Sequence, residues 1–93
     1  MKRFRLIASP SSQRQVRKLT PRNPRLLSVV SDLQRTLEID PYNLSKQHDI
    51  KKLTEVKADD GQWRIRSGDY RIQYDVWGDE VALHSFTHRR EAY

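Results

Sequence analysis

The sequence predicts an α+β domain in which two N-terminal helices cover one face of a small, mostly antiparallel sheet, in the order β-α-α-β-β-β. Three observations carry this. Apolar residues fall at helical spacing through Leu26, Val30, Leu33 and Leu37. The period changes to two from Gln62, where Trp63 and Ile65 alternate with Arg64 and Arg66. Ser67-Gly68-Asp69 and Gly78-Asp79 then break the alternating runs at hairpin spacing.

Each element has a local reason. Arg3 to Ala8 reads as a strand, with Phe4, Leu6 and Ala8 on one side and Arg3, Arg5 and Ile7 on the other. Ser9-Pro10 is a helix start: the Ser hydroxyl caps an orphan amide and Pro is pre-set for the first helical position. That helix is expected to run to about Leu19, with Val16 and Leu19 as its stripe. Asn23-Pro24 repeats the device, so the second helix is expected from Pro24 to about Glu38, with Leu27 and Val29 widening its stripe. Asp40-Pro41-Tyr42-Asn43-Leu44 is a loop, Ser45 to Asp60 carries no clear period, and Asp59-Asp60-Gly61 is a turn signal. Tyr70, Ile72, Tyr74 and Val76 alternate with Arg71, Gln73, Asp75 and Trp77. In the last strand Val81 and Leu83 point one way and Ala82, His84 and Phe86 the other, a conflict that a β-bulge would resolve.

A chain of 93 residues holds one domain, residues 1–93, and with 35% hydrophobic residues its core is small. No stretch approaches the roughly 20 apolar residues of a membrane span. The basic start has too short an apolar run for a secretory signal, which places the chain in the cytoplasm. The absence of cysteine excludes disulfide scaffolds, zinc ribbons and thiol nucleophiles. The three histidines lack metal-ligand spacing, so no metal is expected. The net charge of +6 points to an anionic partner. It is uneven: residues 1–50 hold ten basic and four acidic side chains, residues 51–93 eight of each. An anion site in the second half must therefore come from local placement.

That placement is legible. If Trp63, Ile65, Tyr70, Ile72 and Tyr74 face the helices, Arg64, Arg66 and Arg71 project together from the opposite face. Three guanidiniums on one face repel unless an anion sits among them; the alternative is surface ion pairing with Asp69, Asp75 or Glu91. His88-Arg89-Arg90-Glu91-Ala92-Tyr93 follows the last strand, adding an acid–base side chain, two cations and a phenol. Taken alone, the segment reads sooner as a frayed chain end. Lys51 and Lys52 line the anion site or form a solvated face.

The run Trp63-Arg64-Ile65-Arg66-Ser67-Gly68-Asp69-Tyr70-Arg71-Ile72-Gln73-Tyr74, then Thr87-His88-Arg89, then Tyr93, resembles the RelE/ParE superfamily of bacterial type II toxins. The resemblance covers nearly the whole chain and is strongest from Lys52-Leu53 onward. It implies a toxin neutralised by a cognate acidic antitoxin. RelE-like members cut messenger RNA in the ribosomal decoding site by attack of the RNA 2′-hydroxyl, leaving a 2′,3′-cyclic phosphate and a 5′-hydroxyl, with no metal or cofactor. ParE-like members instead inhibit DNA gyrase and are not nucleases. On the RelE-like pattern, Arg64 or Arg66, Arg71, Arg89 and Tyr93 match the catalytic positions, with His88 and Glu55 as further acid–base candidates. Gln62 stands where some members carry Lys. Lys51, Lys52 and Lys57 are the basic residues expected to bind RNA. The implied partners are the antitoxin, the ribosome and messenger RNA, with operator DNA bound through the antitoxin and no membrane contact. The basic helices, with Leu26, Leu27 and Val30 beside Arg14, Arg17, Lys18, Arg22, Arg25 and Arg35, are the expected antitoxin surface.

Overall fold

The structure, a computed structural model, describes residues 3–88. Strand β1 (Arg5–Ala8) leads into helix α1 (Pro10–Leu19), a short 3-10 turn (Thr20–Arg22) and helix α2 (Leu26–Ile39). Strands β2 (Ile50–Lys52), β3 (Trp63–Ser67), β4 (Tyr70–Trp77) and β5 (Glu80–His88) follow. The sheet has five strands in the order β1-β5-β4-β3-β2; β1 is parallel to β5 and the other pairs are antiparallel. The expected two-layer α+β plan holds, with one strand more than the sequence suggested. β2 lies in the stretch that showed no period, because three residues are too few to display one.

Helix α1 begins as its capping residue dictates: the Ser9 hydroxyl accepts the Ser12 amide at 3.0 Å, and Pro10 opens the helix. Asn23 does not repeat this. Its side-chain amide donates to the Leu19 carbonyl, and helix α2 starts at Leu26 with no side-chain cap. Pro24 and Arg25, expected in the first turn of α2, form a turn ahead of the helix. Leu26, Val30, Leu33 and Leu37 are buried as the spacing predicts, whereas Leu27 is 59% exposed and does not widen the stripe. They meet Ile65, Ile72, Tyr74, Val81, Leu83 and Phe86 from the sheet, with Leu19 from α1. Each fully buried Leu or Ile stabilises the fold by about 1.5–3 kcal/mol. No helix among the described residues is long and apolar enough to cross a membrane.

The bulge is present. Pairing of β4 with β5 shifts by one residue at Gln73/Tyr74, leaving His84 as the extra residue between Leu83 and Ser85. The shift moves Phe86 to the core face with Val81 and Leu83, correcting the strict alternation. Helix α1 completes the β5 edge beyond β1. The Ser9 amide donates to the Leu83 carbonyl, the Ser9 hydroxyl to the His84 carbonyl, and the Phe86 amide to Gln15 Oε1 at 2.7 Å.

Tyr74 ties the core to the loop after α2. Its ring is fully buried and its hydroxyl donates to the buried Pro41 carbonyl at 2.6 Å. Burial first, and the nearby Asp40 charge second, hold the Tyr74 phenol well above its ordinary value, so it remains a donor. Tyr74→Phe should therefore strand the Pro41 carbonyl and lower unfolding stability by about 1–3 kcal/mol in urea denaturation. An unchanged midpoint would show that the carbonyl finds another donor.

Candidate functional site

The face of the sheet opposite the helices collects the cations through register alone. Lys51 on β2, Arg64 on β3, Gln73 on β4 and Ser85 on β5 are successive cross-strand partners. The next row holds Arg66, Arg71 and Thr87. Adjacent strands lie roughly 4.8 Å apart, so the two rows place four cations within a few strand spacings. Arg66 and Arg71 are directly opposed, an arrangement that costs stability in isolation.

An anion does sit among these arginines, and it belongs to the chain. Asp49, just before β2, accepts from Arg64 Nη1 at 3.3 Å and from Arg66 Nε at 3.0 Å. This is the ion-pairing alternative, with a different partner from those the sequence offered. Partial burial pushes the Asp49 carboxyl up, but the Arg66 hydrogen bond and the charges of both arginines outweigh it and hold it below the ordinary carboxylate value. Asp75 is otherwise engaged: buried beneath the loop before β3, its carboxylate accepts the Gly61 and Gln62 amides at 3.0 Å each. Glu91 lies outside the described residues. Arg71 is half-buried and has no ion pair among the described residues.

The loop between β2 and β3 is fastened onto this face. Besides the Asp75 clamp, Gln73 Nε2 donates to the Gly61 carbonyl at 3.2 Å. A Cβ at Gly61 would lie 2.8 Å from Gln73 Cβ and 3.3 Å from His84 Cβ, so only glycine lets the loop approach this closely. Lys57 and Glu55 are exposed on this loop. The bulge turns His84 toward the same face, where it is exposed. The sequence reading passed over His84; its one signal was the broken alternation from Val81 to Phe86.

Other expected site residues are separated from the arginines. His88 pairs with Tyr70, on the helix-facing side of the sheet, and their rings meet edge-on at 5.0 Å. Lys52 is on that side too, with Nζ 5.8 Å from the centre of the Trp63 ring, whereas its neighbour Lys51 is on the arginine face. Arg89 and Tyr93 lie outside the described residues. Among the described residues no three His, Cys, Asp or Glu side chains are placed to hold a metal ion.

A second feature lies on the helix side. An apolar cleft of about 290 Å³ opens between α1, α2 and the sheet, lined by Val16, Val30, Ile72, Leu83 and Phe86, with Arg17 also lining it. Leu26 is fully buried and Val30 nearly so, so the expected docking surface of Leu26, Leu27 and Val30 does not exist as drawn. The cleft beside it, which Val30 also lines, offers a concave apolar surface.

A family model described as the ParE toxin of type II toxin–antitoxin systems, parDE, matches residues 6–93. No curated protein matches the chain. A chain of the toxin–antitoxin complex RelBE2 from Mycobacterium tuberculosis superposes with a TM-score of 0.71 at 24% identity, covering 94% of this chain and 99% of that one. A chain of the RelB–RelE antitoxin–toxin complex from Methanococcus jannaschii superposes with a TM-score of 0.57 at 23% identity, covering 94% of each.

The Asp49 bridge has a titration consequence. Its depressed folded-state value means that its contribution is fully present above the unfolded carboxylate value of about 3.9 and is lost as pH falls through the lower folded value. In Arg66→Ala the Asp49 side-chain carboxyl carbon, followed by NMR, should titrate at higher pH than in the wild type. An unchanged midpoint would refute the bridge.

Proposed function

The chain belongs to the ParE toxin family of type II toxin–antitoxin systems, and within that family we propose that it departs from the gyrase-inhibiting pattern and is a ribosome-dependent messenger-RNA endoribonuclease. The observation that carries this reading is the position of Arg71. It stands on the open cationic face without a carboxylate partner among the described residues, directly across from Thr87. Thr87 precedes His88-Arg89 in sequence, so the strand beside Arg71 leads into the segment that ends in Tyr93.

In this mechanism the RNA 2′-oxygen attacks the adjacent phosphorus in line, and the bond from phosphorus to the 5′-oxygen breaks. The products are a 2′,3′-cyclic phosphate and a 5′-hydroxyl end. Tyr93, as phenolate, takes the 2′-hydroxyl proton. Arg71 and Arg89 stabilise the charge that gathers on the phosphorane oxygens, as fixed donors that need no reorganisation. Arg64, Arg66, Lys51 and Lys57 bind the strand on either side of the scissile phosphate. The leaving 5′-oxygen takes its proton from water, and the contact of His88 with Tyr70 on the helix side, away from the arginines, supports Tyr93 over His88 as the base. The ribosome supplies the in-line geometry that an open sheet face does not.

Gyrase inhibition without nuclease activity is the second reading, and both the match to the ParE model and Asp49 favour it. With the Asp49 carboxylate bridging Arg64 and Arg66, two of the three arginines are already paired. Primer extension on a translated messenger separates the two: the first reading expects discrete ribosome-dependent stops. Intact messenger together with inhibited gyrase supercoiling would establish the second. Tyr93→Phe should lower the single-turnover cleavage rate by about 10²–10⁴ with ribosome affinity almost unchanged. Arg71→Ala should lower it by about 10²–10³. Wild-type cutting by Tyr93→Phe would move the base to His88, tested by His88→Gln.

The antitoxin, on this reading, is acidic and amphipathic, and it places an apolar side chain in the cleft between the helices and the sheet. Arg17 at the cleft, with Arg14 and Lys18 on the same helix, gives the charge complement. Arg17→Glu should accelerate dissociation of the co-purified complex at least tenfold at low salt. Equal dissociation rates would place the partner elsewhere.

A further inference from the structure

A carboxylate occupies the space between two arginines that nucleic acid would need. Asp49 Oδ1 lies 3.3 Å from Arg64 Nη1, and Oδ2 lies 3.0 Å from Arg66 Nε, so each oxygen serves one guanidinium. The Asp49 backbone is fixed as well. Its carbonyl accepts the Arg66 amide at 3.0 Å, which continues the β2–β3 pairing one residue beyond Ile50 and Ile65. The carboxylate is therefore presented by sheet-paired backbone at a set height above the arginines.

Stability does not account for the Arg66 half of this arrangement: the Asp49 side chain is 46% exposed and that of Arg66 is 53% exposed, and an ion pair this open to water contributes little to folding. The Arg64 side chain is 13% exposed, so its pair with Asp49 is the more sheltered of the two. The exposure of Asp49 leaves the carboxylate free to swing into solvent when another anion takes its place. A phosphodiester, like a carboxylate, offers two anionic oxygens to a guanidinium fork. Lys51 shares a cross-strand row with Arg64, and Arg71 one with Arg66, so the bridge lies at the β2 edge of the sheet with a further cation in each of the two rows it joins.

We propose that Asp49 is a specificity-determining residue: its carboxylate holds the place of an RNA backbone phosphate between Arg64 and Arg66, and a single strand engages those two arginines only by displacing it. The proposal rests on the RNA-binding reading above and adds a selection step to it. A loose strand in solution meets Lys51 and Arg71 but gains little from Arg64 and Arg66, because every phosphate contact made there breaks one to Asp49. A strand already held in place by the ribosome brings its phosphate at high effective concentration and wins the exchange. The carboxylate thus biases the toxin against free RNA.

Fluorescence anisotropy with a labelled single-stranded RNA 12-mer, over a range of KCl concentrations, tests this on the purified chain. Asp49→Asn keeps a hydrogen-bond acceptor and removes the charge. It should bind on the order of tenfold tighter than wild type at low salt. Its dependence of log affinity on log salt should be steeper by about 0.7–1.4, the release expected from one or two added phosphate contacts to a single strand. Asp49→Glu, which restores the charge, should return affinity toward wild type. In an Arg64→Ala/Arg66→Ala background the gain from Asp49→Asn should disappear. The proposal is overturned if Asp49→Asn binds no tighter with the same salt slope, or if its gain persists without the two arginines. It is also overturned if no variant binds RNA. Tighter, arginine-dependent binding by Asp49→Asn with no messenger cleavage by the wild type would uphold the exchange and reject the nuclease reading.

Discussion

Burial of the α2 stripe against β3, β4 and β5 constrains everything else in this molecule. Leu26, Val30, Leu33 and Leu37 meet Ile65, Ile72, Tyr74, Val81, Leu83 and Phe86, and partly buried side chains such as Phe4, Leu6, Val16 and Trp63 pack against this cluster. A sheet covered by helices on one face only must carry polar residues on the other. Because side chains alternate along each strand, fixing Ile65 and Ile72 inward fixes Arg64, Arg66 and Arg71 outward. The cationic face is a consequence of the core, and a one-residue slip in register would bury the arginines and expose the core together.

The open face is then shaped by polar groups that hold backbone in place. Asp75 fastens the loop before β3 by two amide hydrogen bonds, and Gln73 adds a third contact to the same loop. The bulge at His84 brings Phe86 back to the core, and Ser9 and Gln15 from α1 satisfy the backbone groups that β1 no longer reaches. Among the described residues no buried side-chain nitrogen or oxygen lacks a hydrogen-bond partner. The arginines consequently project from a backbone held on both sides, which suits recognition of an anion whose position is set by something else.

That geometry also bears on how a family of toxins can carry more than one target on one fold. The helix-side cleft and the cationic face are built largely from opposite sides of the sheet, so on the reading proposed above antitoxin and target would draw on largely different residues. The cleft is built from core side chains such as Ile72, Leu83 and Phe86, while the face is built from the alternate positions of the same strands.

The sequence by itself determined the elements whose cause is local or periodic. Helix α1 follows from Ser9-Pro10, the α2 stripe from its spacing, the two hairpins from their Gly-Asp turns, and the shared face of Arg64, Arg66 and Arg71 from alternation. It did not determine what depends on partners distant in the chain. Asn23 has the composition of a cap, yet the 3-10 turn spends its side chain on the Leu19 carbonyl. β2 is too short to show a period and exists because β3 offers it an edge. His88 and Lys52 were grouped with the arginines by proximity in sequence, and strand parity sends both to the other side. Only the tertiary structure decided that the anion among the arginines is Asp49, since a contact between residues 49 and 66 is set by how β2 registers on β3, a choice that side-chain pattern in either strand alone does not encode.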